Sequence, residues 1–167
     1  MTSTPMDARK FRDALGCYAS GLVIVGAVVD GAPVGFTCQS FYSVSLAPPL
    51  VSFCVMNSSK SWPRIRTARH FGIHVLAESQ RGISNAFASP TADRWAGVDW
   101  RPSPRGVPLI GGAMLGMECS LHDEHEAGDH RIVVCHVHDI HVAESTEARP
   151  LLYFGGAYRS LEIAETR

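Results

Sequence analysis

No apolar run in the 167-residue sequence reaches the roughly 18 residues that a membrane-spanning helix needs, because Gly, Ser or Asp interrupts each one. No membrane partner is expected. Basic residues are scarce and scattered: the formal net charge is -1, and Arg64, Arg66 and Arg69 form the one local concentration. A nucleic-acid footprint would need a basic stripe, so none is expected. Five cysteines, at 17, 38, 54, 119 and 135, cannot all pair with one another and sit in apolar settings. They suit buried thiols in a reducing cytoplasm better than a disulfide framework. No apolar segment stands directly behind the N-terminal MTSTPMDARK, so a signal peptide is not expected. The Gly-x-Gly-x-x-Gly and P-loop patterns are missing, as is the Gly-x-Ser-x-Gly elbow of many hydrolases.

What remains is a chain of one-domain length, 1–167, rich in strand patterns. Phe11, Ala14, Leu15 and Tyr18 recur at helical spacing within 7–20, with Asp7 placed to cap. LVIVGAVV reads as a strand, and Asp30-Gly31 is a strong hairpin signal returning the chain through PVGFT. Pro48 and Pro49 introduce another extended segment, LVSFCVM. A short helix SWPRIRTA, capped by Ser59 or Ser61, precedes the strand HFGIHVL, and SQRGISNAFAS reads as a second short helix. RPSPRGVP reads as a loop and HEAGDH as a polar turn. From 113 to 121 the residues alternate, with Ala113, Leu115, Met117, Cys119 and Leu121 on one face and Met114, Gly116, Glu118 and Ser120 on the other. Strands do not alternate regularly with helices, which predicts a mostly β, antiparallel, Greek-key-like barrel with short peripheral helices.

The residues bear on three chemistries. Cys119 with His122, and Cys135 with His138, have metal-ligand spacing but fall on strands, where residues three apart face opposite ways. His136 and His138 share a face without a third ligand at recognisable spacing, so no metal site is assigned. A hydrolase would need an oriented base, whereas His130 and Asp129 are merely adjacent. Two softer signals lie near each other: the run GFTCQSFYSVSLAPPL at 35–50 offers hydroxyls and amides from a segment not fully laddered, and NSSKS at 57–61 puts hydroxyls and Lys60 ahead of a helix. Such a helix start can take a phosphate, or it is an ordinary cap with a solvated lysine.

From about Phe11 to Leu161 the chain resembles the flavin reductase-like family, the small reductase components of two-component flavin-dependent monooxygenases. The resemblance rests on FRDALGCYASGLVIV, VGFTCQSFYSVSLAPPLVSFCV, NSSKSW, FGIHVLAESQ, FASPTADRWAGVDW, GVPLIGGAMLGMECS, EAGDHRIVV and PLLYFGGAYRSL, in that order. It is especially similar to reductases serving hydroxylases of aromatic rings, including those of steroid catabolism. The resemblance implies a flavin-binding split β-barrel, a homodimer, FMN or FAD as the flavin, and NADH or NADPH as reductant, with reduced flavin diffusing to a separate oxygenase. It implies Thr37, Gln39, Ser40 and Ser43 on the ring and ribityl side of the flavin. Ser58, Ser59, Lys60 and Ser61 would take the phosphate side, and Ala88, Ser89 and Arg94 would flank the rest. His130 and Tyr158 would approach the nicotinamide, His130 as a positioning group. Other readings stay open on the residues: a flavoprotein that keeps its flavin and reduces its own acceptor, a non-catalytic flavin- or haem-binding barrel, or a structural protein. Trp62, Trp95 and Trp100 lie near loops, placed either as interface anchors for a dimer or in the core.

Overall fold

The computed structural model describes residues 6–143 and 149–162. The N-terminal stretch 1–5 lies outside them. Asp7 starts α1 (Ala8–Leu15), its carboxylate accepting from the amides of Arg9 and Lys10 at 2.8 and 2.9 Å. These are N–H groups that a helix start leaves unpaired. The helix is shorter than the apolar spacing predicts, because the amides of Cys17 and Tyr18 turn back onto the carbonyls of Ala14 and Leu15.

After β1 (Ser20–Gly21) and β2 (Val23–Val29), Asp30 and Gly31 adopt φ of 53° and 76° and return the chain as β3 (Ala32–Cys38). Two successive left-handed residues give the hairpin turn that matches strand twist. Then come β4 (Tyr42–Leu46), β5 (Pro49–Met56), α2 (Trp62–Ile65), β6 (Phe71–Val75) and α3 (Arg81–Ala88). The segment expected to be a loop instead carries β7 (Trp100–Pro102) and β8 (Pro108–Ile110), paired as a small hairpin. Ser103 closes it, its Oγ accepting from the amides of Arg105 and Val107 at 3.2 Å. The longest pair is β9 (Leu115–Ala127) and β10 (His130–Val142), so the expected polar turn shrinks to Gly128 and Asp129. β11 (Leu152–Phe154) and β12 (Ala157–Arg159) form a three-stranded sheet with β1.

Seven strands make one antiparallel sheet in the order β3-β2-β6-β9-β10-β5-β4. Its two ends approach each other. The Phe36 and Phe53 rings meet edge-on at 6.0 Å, and Ser40 Oγ accepts from the Cys54 amide at 2.8 Å and donates to its carbonyl at 3.1 Å. No backbone ladder joins these ends among the described residues, so side chains close what the hydrogen bonds leave split. The protein is thus mostly β, a split antiparallel barrel with short helices outside it. Phe53, Phe71, Ile73, Cys119 and Val133 fill the interior, while a second apolar cluster of Ile24, Leu76, Phe87, Ile110 and Leu151 lies against α3. Gly35 permits that helix to come close: a Cβ there would lie 2.7 Å from Phe87 Cε1 and 3.0 Å from the Val25 carbonyl oxygen.

Trp62 is buried, edge-on to Phe53 and Phe71 at 5.2 and 5.7 Å, and Trp95 packs against Phe87 and Trp100. The core placement therefore describes Trp62. Cys38, Cys119 and Cys135 are buried and Cys54 half-buried, but Cys17 is exposed just beyond α1. Burial pushes the Cys119 thiol up to about 12, and nearby Glu118 adds to the shift. No described helix is long and apolar enough to cross a membrane.

Candidate functional site

The NSSKS segment forms a turn held at both ends. Asn57 receives the GDH turn, its amide donating to the Asp129 carbonyl at 2.9 Å and its side-chain Nδ2 to that of Gly128 at 3.2 Å. At the other end Ser59 Oγ accepts from the Trp62 amide at 3.2 Å, whereas Ser61, at the cap position itself, makes no cap bond. Ser61 Oγ is used elsewhere, accepting from Arg94 Nη1 at 2.7 Å. The helix that follows cannot shift easily: Trp62 is in the core, its indole N–H donates to Glu124, and Arg66 pairs with the same carboxylate at 3.0 Å. Ser58 and Lys60 are left exposed between the two anchors.

Arg94 ties three segments together. Besides Ser61, its guanidinium donates to the Gly35 carbonyl at 2.6 Å and the Ser89 carbonyl at 3.1 Å. Ser89 ends α3, and its hydroxyl accepts from the amides of Thr91 and Ala92. Ala88 is exposed at the helix end. A second node lies one helical turn earlier at Ser84, where the Thr37 hydroxyl donates to the carbonyl at 2.7 Å. The Tyr158 hydroxyl reaches Ser84 Oγ at 3.1 Å and Asn85 Oδ1 at 2.7 Å. The Arg81 guanidinium covers the Tyr158 ring at 4.8 Å. Thr37, Ser61, Ser89, Arg94 and Tyr158 are therefore linked through α3 and the loop that follows it.

The opening segment divides in the same way. Thr37 and Ser40 spend their hydroxyls within the fold, on Ser84 and Cys54. Gln39 and Ser43 are exposed, and residues 39–41 lie between the ladders of β3 and β4, so their amides face no neighbouring strand. Gln39 also lines a groove of about 630 Å³ between the end of α1 and the β11–β12 turn, walled by Arg12, Tyr18, Tyr153 and Phe154. Ligand pockets commonly enclose about 300–1,000 Å³.

His130 is half-exposed at the start of β10, with Nδ1 2.6 Å from Asp129 Oδ1. The hydrogen bond and charge of His130 hold the Asp129 carboxyl below the usual range. An ionised carboxylate only accepts, so Nδ1 carries the hydrogen of this bond and Nε2 is left open to a ligand. His130 belongs with the 57–60 turn, and no hydrogen bond or ring contact joins it to Tyr158 among the described residues.

Sequence reasoning missed Ser84, Asn85 and Arg81, which organise the helix side of the site, since no spacing links them to residues 37 or 158. Alternation set Glu118 on the face opposite Leu115, Met117 and Cys119, and it is nonetheless fully buried. Glu118, Asp139 and His141 form a cluster of ligand-type groups away from the groove.

The donor set suits an anionic, planar cofactor. Exposed amide, hydroxyl and ammonium groups flank the split edge, and neither 35–45 nor 57–61 contains a carboxylate to repel a phosphate. A split barrel with a ligand-sized groove beside exposed donors is the frame of a cofactor-holding β domain. The family model for the flavin reductase like domain matches residues 15–162. The reductase subunit HsaB of a flavin-dependent monooxygenase from Mycobacterium tuberculosis is 40% identical over 164 residues, covering 98% of this chain and 88% of that protein. Component B of a nitrilotriacetate monooxygenase from Mycobacterium thermoresistibile superposes with a TM-score of 0.89 at 41% identity, over 95% of this chain and 92% of that one. The NADH:FAD oxidoreductase of Streptomyces globisporus, solved in complex with NAD and FAD fragments, gives a TM-score of 0.86 at 31% identity over 99% and 98%. The chain belongs to the flavin reductase like domain family, and its activity class is NAD(P)H:flavin oxidoreductase.

Proposed function

We propose that this chain, acting as one domain in the cytoplasm, reduces FMN or FAD with NADH or NADPH and releases the reduced flavin to a separate monooxygenase. A hydroxylase of an aromatic ring, of the kind met in steroid breakdown, is the proposed partner. The observation that carries the reading is the set of exposed donors, Gln39, Ser43, Ser58 and Lys60, on the two segments that flank the Ser40–Cys54 junction. Bound flavin and dihydronicotinamide supply the hydride transfer itself, which explains the missing triad. Gln39, Ser43 and the amides of 39–41 take the ring and ribityl side, favouring the edge where negative charge grows. Lys60 and Ser58 take the phosphate, with Ser59 and Ser61 holding their turn in place. Arg94 and Ser89 fix the loop beyond Ala88 as a wall, while Thr37, Ser40 and Tyr158 give the cradle its shape. His130 Nε2 accepts from the nicotinamide carboxamide and orients it, with no proton transferred.

A homodimer completes this proposal. Phe11 and Leu15 on α1 and Tyr18 just beyond it, with Tyr42, Val44 and Leu46 on the edge strand β4, leave apolar surface exposed, Leu46 to 92%. A second copy covering that surface would remove an exposed sheet edge as well as apolar area.

Steady-state oxidation of NADH and of NADPH, with FMN, FAD and riboflavin each supplied in turn, tests the reading. Oxidation that starts only when flavin is added, by a protein colourless after dialysis, is expected. Turnover without added flavin, by a protein that stays yellow, would instead favour a tightly held flavin reducing its own acceptor. Sedimentation of the same sample should give twice the chain mass; a monomer at micromolar concentration would remove the dimer.

A further inference from the structure

The outer face of β6, β9 and β10 carries a second polar centre, which hydride transfer to flavin does not require. Strand register places Gly72, Glu118 and Asp139 in one row across the sheet, and His74, Gly116 and His141 in the next. Directly paired residues share a face, so four ligand-type side chains stand together on one side. A register shift between Val137 and Asp139 makes this possible, because the extra residue, His138, re-phases the strand. Without that bulge Asp139 and His141 would face away from His136.

Glu118 and His74 are the buried members of this group. The Glu118 carboxylate, 1% exposed, contacts His141 Nε2 at 2.9 Å and Arg105 Nη1 at 3.5 Å. Asp139 reaches the same guanidinium nitrogen, also at 3.5 Å. Contacts that long are at the limit of hydrogen bonding and compensate a buried charge poorly. His74 is 1% exposed, and beyond an interaction with the Ile24 backbone its ring nitrogens have no hydrogen-bond partner. Its ring lies over two glycines: a Cβ on Gly72 would collide with Cε1 and stand 3.2 Å from Nε2, and one on Gly116 would stand 3.7 Å from Nε2. Gly72 pairs with Glu118 and Gly116 with His141, so the His74 ring lies over the two strand positions beside the carboxylate and the second imidazole. The ligand atoms of Glu118, Asp139 and His141 already lie within 4.8 Å of one another.

We propose that this face is a divalent transition-metal site, in which Glu118, Asp139 and His141 bind the ion and His74 completes the set. Two imidazoles with two carboxylates suit Zn²⁺ better than Mg²⁺ or Ca²⁺, which favour all-oxygen shells. The ion supplies the positive charge that Arg105 provides only at long range, and it gives His74 a partner beyond the Ile24 backbone. A cavity of about 380 Å³, lined by His74, Trp100, Gly116 and His141 among others, offers the way in. Once bound, the ion ties together three adjacent strands of the barrel.

Equilibrium dialysis of the chelator-treated chain against Zn²⁺ alone tests the site, with Co²⁺ as a spectroscopic probe. One ion per chain, a higher melting temperature on saturation and a visible Co²⁺ band are expected. Asp139→Asn and His141→Gln should each weaken binding by about tenfold or more. Asp139 is half-exposed, so its variant keeps the fold and reports the ligand role. His138→Gln probes the separate group in which the His138 ring contacts those of His70 and His136, and it should leave binding unchanged. The proposal is overturned if Zn²⁺ fails to bind below millimolar concentration. It is equally overturned if Asp139→Asn and His141→Gln bind as tightly as the parent, or if only His138→Gln loses the ion.

Discussion

Two polar regions meet at the split edge of the barrel, and they are built from similar residues for different ends. In the inner belt, Thr37, Ser40, Ser61, Arg94 and Tyr158 direct their polar atoms into the protein, joining β3, β5, α2, α3 and the 89–94 loop. On the outer rim, Gln39, Ser43, Ser58 and Lys60 are exposed, and His130 keeps one ring nitrogen open. A serine three residues from another can therefore shape the cradle while its neighbour serves the ligand. Breaking the belt should cost stability first, and breaking the rim should cost affinity or rate with the fold intact.

Arg94→Ala gives the largest expected effect, because it removes three hydrogen bonds from one charged group and leaves the Gly35 carbonyl without its donor. A loss of about 3 kcal/mol in denaturant unfolding is expected, with weaker flavin binding as the loop undocks. A loss below ~1 kcal/mol would erase the distinction between belt and rim. On the other side of the comparison, His130→Ala should lower kcat/KM for the nicotinamide by roughly thirtyfold, about 2 kcal/mol of transition-state stabilisation. Its melting temperature and flavin affinity should match the parent. Stopped-flow reduction with a parallel flavin titration checks this, and an unchanged rate and KM would remove the positioning role. Tyr158→Phe should cost about 1 kcal/mol of stability by ending the hydroxyl contacts with Ser84 and Asn85. If it lowered nicotinamide affinity at unchanged stability, Tyr158 would belong to the rim.

The local parts of this arrangement were legible in the sequence. Asp30-Gly31 marks its hairpin because both residues accept positive φ, Asp7 marks a helix start, and the alternation along 113–121 marks a strand. The polar character of 37–45 and 57–61 was visible too. Which hydroxyls face inward was not, since Thr37 meets Ser84 across 47 residues and Arg94 meets Gly35 across 59. The bulge at His138 leaves no mark in composition, so simple alternation could not reveal that Asp139, His141 and Glu118 share a face. Pro102 and Pro108 suggested a loop but pair directly in a short hairpin, where Ser103 supplies the bonds that close the turn.

The claim that rim side chains hold the flavin is tested most directly at Lys60, whose ammonium is exposed on a turn anchored at both ends. The measurement is a titration of the parent and Lys60→Ala with FMN and with riboflavin, which lacks the phosphate. The account predicts about fivefold weaker FMN binding, ~1 kcal/mol, with riboflavin affinity and melting temperature unchanged. Equal losses for the two flavins, or no loss for either, would contradict it.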